Sequence, residues 1–224
     1  MKGTVRGKGR RSNWGRAMSA LALASLGMVP AVSGCDTAPE STAKADAVAG
    51  DAVTADQTSD SLGNCPFTRA APASSPIVIN EVQGKGDDWI ELHNKSGATV
   101  SLAGYSVADQ NELGCPDLLD GVAFPADATI AAGGYILVEA GKTTPEIGLT
   151  TKCIQGGPET CYQAAFKVSA AGGDKVFLTL NKTVVDTVSV PPNVLLDGTQ
   201  TWGRLPNGTG EFKSAVPTPG AANK

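Results

Sequence analysis

Residues 77–105 read I-V-I-N-E-V-Q-G-K-G-D-D-W-I-E-L-H-N-K-S-G-A-T-V-S-L-A-G-Y, and no other stretch restricts the fold as tightly. Its apolar runs, 77–82, 88–93 and 100–102, are too short for helices and rich in β-branched residues. Gly84-Lys85-Gly86-Asp87 separates the first two runs and residues 94–97 separate the next two, which is the punctuation of antiparallel strands joined by tight turns. Side chains alternate across a strand, so Ile90 and Leu92 share one face of the second run while Trp89, Glu91 and His93 share the other. His93 ends that run, and this position reads as a surface residue on an edge-like strand.

The rest of the chain repeats the pattern. Residues 105–108 form a fourth short strand, and an insertion at 109–121 carries Cys115. Residues 141–163 are irregular and hold Cys153 and Cys161. Residues 175–180 alternate Val176, Leu178 and Leu180 against Phe177 and Thr179. Asn181-Lys182 turns, 183–190 returns, and Pro191-Pro192 stops the hairpin. Glycine and proline supply 27 and 14 residues and aromatics only 5%, as many short strands and turns require.

Three segments carry a family likeness: I-N-E-V at 79–82, D-W-I-E-L-H-N at 88–94 and V-S-L-A-G-Y-S-V at 100–107. Residues 124–138 and a closing pattern, T-W-G-R-L-P-N-G-T-G at 201–210 with P-T-P-G-A-A-N at 217–223, add to it. Together they resemble the lamin-tail domain family over residues 76–223. The resemblance implies that a turn bearing Gly133-Gly134 precedes a buried strand at 135–139. The resemblance implies an all-β fold, an immunoglobulin-like antiparallel β-sandwich. It implies little about activity, since a fold is a platform and chemistry belongs to a site. The family is not known as catalytic, and its bacterial members often accompany secreted nucleases and other hydrolases, which implies an accessory or adhesive role. The two cysteine-bearing insertions depart from the family pattern, so no loop function is carried over.

The front of the chain reads differently. Residues 1–16 hold six basic residues and no acid, and 17–32 carry no charge. That order is a secretory signal, with an apolar part too short for a comfortable membrane span of about 20 residues. Val32-Ser33-Gly34-Cys35 resembles the bacterial lipobox, which implies cleavage after residue 34 and a lipidated Cys35 bearing palmitate-type acyl chains. Each buried methylene adds about 0.8 kcal/mol of membrane affinity. The expected partition is a lipoprotein signal peptide at 1–34, a disordered tether at 35–61, a lead-in at 62–75 and the sandwich at 76–224. Residues 36–61 are mostly Ala, Thr, Asp and Ser, with too little apolar surface to offset ordering entropy. The expected place is the bacterial cell envelope, anchored through Cys35 on the outer membrane or cell surface rather than the inner membrane.

With the six leading cations removed, 12 basic residues remain against 22 acidic ones, a balance of about −10. Nucleic acid, whose phosphates need basic neutralisation, is therefore not an expected partner. With Cys35 lipidated, four cysteines remain, and in an oxidising compartment they read as two disulfides. Four thiols allow three pairings. The favoured one joins Cys153 to Cys161 and Cys65 to Cys115, clamping the lead-in to the first insertion. Separations of 50, 38 and 8 along the chain lack the paired spacing of zinc sites, and no metal or cofactor is expected.

Several residues invite chemistry and have plainer readings. Glu81 and Glu91 lie on neighbouring strands, and two carboxylates about 5–9 Å apart can serve glycoside hydrolysis. The plainer reading is structural, with both accepting backbone or Arg204 hydrogen bonds. Asp87, Asp88 and Asp109 could ligate calcium, but no D-x-D-x-D-G run supports it. A Ser-His-Asp triad would have to use His93, the single histidine, and no G-x-S-x-G elbow exists. Trp89 and Trp202 could stack on sugars, though packing within the fold accounts for both. Residues 172–174, G-G-D, lack the helix and lysine of a phosphate loop. The expectation is a non-catalytic, lipid-anchored binding or adhesion module that presents disulfide-braced loops to a protein or polysaccharide partner. The alternative is a small secreted hydrolase using Glu81 and Glu91.

Overall fold

A computed structural model of the chain describes residues 64–71, 74–195 and 197–224. The signal segment 1–34, Cys35 and the segment 35–61 lie outside the described residues. All described residues belong to one unit, Asp56–Lys224. They form no helix. In chain order the strands are β1 (Thr68–Arg69), β2 (Ile77–Gln83), β3 (Trp89–Asn94), β4 (Val100–Ser101), β5 (Tyr105–Ala108), β6 (Val122–Ala123), β7 (Thr129–Ile130), β8 (Tyr135–Glu139), β9 (Tyr162–Gln163), β10 (Asp174–Leu180), β11 (Thr183–Val190), β12 (Thr201–Leu205) and β13 (Glu211–Ala215).

They assemble into a five-stranded sheet, β1-β11-β10-β5-β6, a six-stranded sheet, β13-β12-β2-β3-β8-β9, and a small pair, β4-β7. The chain is thus the immunoglobulin-like β-sandwich that the resemblance implied. Ile77, Ile79, Val82, Ile90, Leu92 and Val138 of the larger sheet share one core with Val107, Val176, Leu178 and Val188 of the smaller. Each such side chain, fully buried, contributes about 1.5–3 kcal/mol, so this shared interior is the main force closing the sandwich.

Two local devices set how the sheets present their side chains. At the β10–β11 turn, Asn181 and Lys182 take φ of 48° and 66°, the left-handed pair whose twist matches a two-residue hairpin. In β2 the register with β3 shifts between Ile79 and Glu81. Asn80 is the extra residue of a bulge, which reverses the inside–outside alternation once. Ile79 and Val82 can then both face the core while Glu81 faces outward. The lead-in joins the fold through β1, which runs parallel to β11 with Thr68 opposite Thr183. A Cys65–Cys115 disulfide (Cα–Cα 5.5 Å) ties the same segment to the first insertion.

The sequence reading of His93 needs correction. β3 lies between β2 and β8, so it is not an edge, and His93 is buried. Its ring stacks on Tyr135 with centroids 4.5 Å apart. The alternation had placed it on the non-core face, but that face is itself covered.

Candidate functional site

The cover is the end of the chain. Residues 217–223 lie across the outer face of the six-stranded sheet, over the two carboxylates singled out from sequence. Glu81 and Glu91 are register partners on β2 and β3, and both are 0% exposed. Glu81 accepts a very short hydrogen bond from the Thr201 hydroxyl. It also accepts from Thr218 N at 3.2 Å and lies 3.0 Å from the Thr218 hydroxyl. Glu91 accepts from Asn80 Nδ2 at 2.8 Å and from Gly220 N at 2.6 Å. The bulge makes this possible, because it turns Asn80 and Glu81 toward the same cover.

Three asparagines complete the network. Asn80 Oδ1 accepts from Gly208 N at 2.8 Å, and Asn80 Nδ2 donates to Asn207 Oδ1 at 3.0 Å. Asn223 N donates to Asn207 Oδ1 at 2.9 Å, and Asn223 Nδ2 donates to the carbonyls of Asn80 and Arg204 at 2.9 and 3.1 Å. His93 Nδ1 lies 3.1 Å from the Gly134 carbonyl, which can only accept, so Nδ1 carries the proton. Burial pushes the Glu91 carboxyl up to about 8, with the nearby Glu81 charge adding to the effect. Burial also raises Glu81, against the hydrogen bonds from Thr201 and Thr218. Burial lowers His93.

This is the geometry of an anchor. Every partner named above for the two carboxylates belongs to the chain itself, and the donors from 217–223 occupy the side from which a substrate would approach. The Arg204 contact foreseen for these glutamates does not form. Arg204 instead donates to the Ile79 and Gly210 carbonyls at 2.8 and 3.0 Å and to both Asp186 oxygens at 2.9 and 3.1 Å. Asp186, on β11, also accepts from Ile79 N at 2.8 Å. The pair therefore stitches the two sheets together along one side.

The two insertions are braced loops. In the first, Asn111 Oδ1 accepts from Leu113 N and Cys115 N at 2.9 and 3.0 Å. Asp109 there is pushed up to about 6, first by burial and then by the charges of Asp174, Asp117 and Asp120. Asp88 accepts from Val168 N at 3.2 Å. In the second insertion, Cys153 and Cys161 form a disulfide (Cα–Cα 5.8 Å). Trp89, buried, packs with Leu137 and Cys161 beneath it, and Trp202 packs half-buried at the core's rim. Trp89, at 3% exposed, presents no open face for sugar stacking.

Large exposed hydrophobics concentrate on these loops. Of six among the described residues, Leu113, Leu118 and Leu119 lie in 109–121 and Ile147 and Leu149 in 141–163, leaving Val216 as the sixth. Sequence reasoning missed another residue, Glu139, which sits at the end of β8, 1% exposed, with an oxygen close to both sulfurs of the second disulfide. What brings it there is the parallel pairing of β8 with β9, and two residues of β9 give no periodic signal.

A search of curated proteins finds no match. The sequence profile described as Lamin Tail Domain matches residues 70–192. The match ends before β12 and β13, which complete the larger sheet. It spans more than half of the 224 residues and takes in strands of both sheets of the sandwich, so the chain belongs to the lamin tail domain family.

Proposed function

We propose that this lamin tail domain is a non-catalytic binding or adhesion module of the bacterial cell envelope. Cys35 carries a lipid, residues 36–61 give reach, and the sandwich offers residues 109–121 and 141–163 to a protein partner, with polysaccharide second. The carrying observation is the concentration of five exposed aliphatic side chains on two disulfide-braced loops. Exposed apolar side chains on a rigid scaffold are the usual raw material of recognition. The buried, fully occupied setting of Glu81 and Glu91 supports the non-catalytic part.

The test uses the mature chain in a pull-down from envelope extract. Leu113→Ser with Leu119→Ser, or Ile147→Ser with Leu149→Ser, should each reduce recovery of the partner at least severalfold while the melting temperature stays put. Equal recovery from both double variants sinks the loop assignment. Cys35→Ser should abolish incorporation of a labelled fatty acid and release the protein from membranes; retained label defeats the anchor. A screen of glycan and phosphodiester substrates should find no turnover that Glu91→Gln removes.

A further inference from the structure

Glu139 has no part in the network under residues 217–223 or in the loops' display. It is 1% exposed, and neither carboxylate oxygen has a hydrogen-bond partner. Lys142 Nζ comes to 2.7 Å of Oε2 as an ion pair, but off the angle of a hydrogen bond, so its help is electrostatic. A buried carboxylate without hydrogen bonds is costly and asks for a cause. One oxygen of Glu139 and the sulfurs of Cys153 and Cys161 all lie within 4.8 Å of one another.

We infer that Glu139, Cys153 and Cys161 form a binding site for a thiophilic divalent cation of the zinc class, which the disulfide holds closed. A dithiol opens it. A thiolate of the reductant attacks Sγ of Cys153, the half-buried sulfur, and Cys161 leaves as a thiolate. The reductant's second thiol then displaces Cys153, and the reductant departs as a disulfide. Its two electrons now reside on the two cysteine sulfurs. Cation binding releases the remaining thiol protons to solvent.

Donor type selects the ion. Two sulfurs and one carboxylate oxygen suit zinc and its neighbours, with water at a fourth position. Calcium and magnesium want oxygen throughout, and a cluster of iron and sulfide wants four cysteines. Charge agrees. Two thiolates and a carboxylate carry three negative charges, and a divalent cation with the Lys142 ammonium supplies three positive ones, so the buried group is neutral as a whole.

The site does not depend on the S–S bond for its shape. Thr150 and Cys161 exchange backbone hydrogen bonds of 2.9 and 3.0 Å. Lys152 N donates to Thr150 Oγ1 at 3.1 Å, and Gln163 Nε2 donates to the Lys152 carbonyl at 3.3 Å. Both cysteines therefore stay next to Glu139 after reduction. The chain spacing of 8 between them hid this, since the third ligand comes from a strand fourteen residues upstream of Cys153.

The experiment titrates the intact chain with Co²⁺ after dithiothreitol treatment and anaerobic removal of the reductant. One cobalt per chain should bind, with a thiolate-to-cobalt charge-transfer band that Zn²⁺ erases, and the oxidised chain should show none. Cys65→Ser with Cys115→Ser should keep the band. Glu139→Gln should keep both thiols yet weaken binding at least about tenfold, the loss that even an outer-sphere change produces at metal sites. No band in the reduced chain, or equal affinity in Glu139→Gln, overturns the site. Should Glu139→Gln fail to fold, Zn²⁺ protection of Cys153 and Cys161 from iodoacetamide in the unaltered chain decides: protected thiols support the site and unprotected thiols overturn it.

Discussion

Glu91 is the residue whose ionisation bears hardest on the fold. Its carboxyl is raised from 4.5 to about 8 by burial. A raised acid is held more tightly in the folded chain than in the unfolded one. Its contribution is complete below pH 4.5 and drains away as pH rises through 8. The chain should lose on the order of a few kcal/mol across that window, and Glu91→Gln should flatten the loss in urea titrations at pH 5 and pH 9. Identical pH profiles for the two proteins would refute this. His93 works in the opposite sense: its lowered value means stability lost as pH falls through the range below 6.5. The variant comparison isolates Glu91 from it. None of this was legible in the sequence, which put Glu91 on the non-core face and so on the water side. The donor that closes over it, Gly220 N, comes from a residue 129 positions away.

Strands were more legible than their surroundings. Residues 105–108 and 183–190 coincide with β5 and β11, because short apolar runs between turn residues specify themselves locally, and 135–139, which the resemblance implied, coincides with β8. The Asn181-Lys182 turn was likewise readable, and its strain is informative. Lys182 sits at φ 66° where a side chain is disfavoured, so Lys182→Gly should stabilise the chain by about 1 kcal/mol, read as a rise in melting temperature. The bulge was not recognised, although I-V-I-N-E-V contains its signature: apolar residues at 77, 79 and 82 break the period of two once. Contacts between sheets were beyond reach. Arg204 looked available to the glutamates, yet it pairs with Asp186 across the sandwich. Asp186→Ala leaves that guanidinium without its partner and should destabilise by about 3 kcal/mol in urea denaturation, whereas a surface pair would change little.

For the whole molecule, the two disulfides divide the labour unequally. On the chain-entropy account a bridge gains with the length of loop that it closes. Cys65–Cys115 spans 50 residues and Cys153–Cys161 spans 8. Replacing the first pair by serine should therefore remove about 4 kcal/mol, and replacing the second about 2.5 kcal/mol. Equal losses, measured by chemical denaturation, would show that local strain and not loop closure governs both. This asymmetry agrees with the roles argued above, in which the long bridge secures the fold and the short one seals a pocket of donors.

The first bridge also decides how the domain bears a load. A pull on the chain from its amino-terminal side enters the described fold just ahead of Cys65 and passes through a covalent link to Cys115, deep in the sequence. The two residue pairs of β1 and β11 are spared the tension. Stretched in a single-molecule instrument, the oxidised domain should yield late and with a shortened extension, and the reduced one should peel from β1 first.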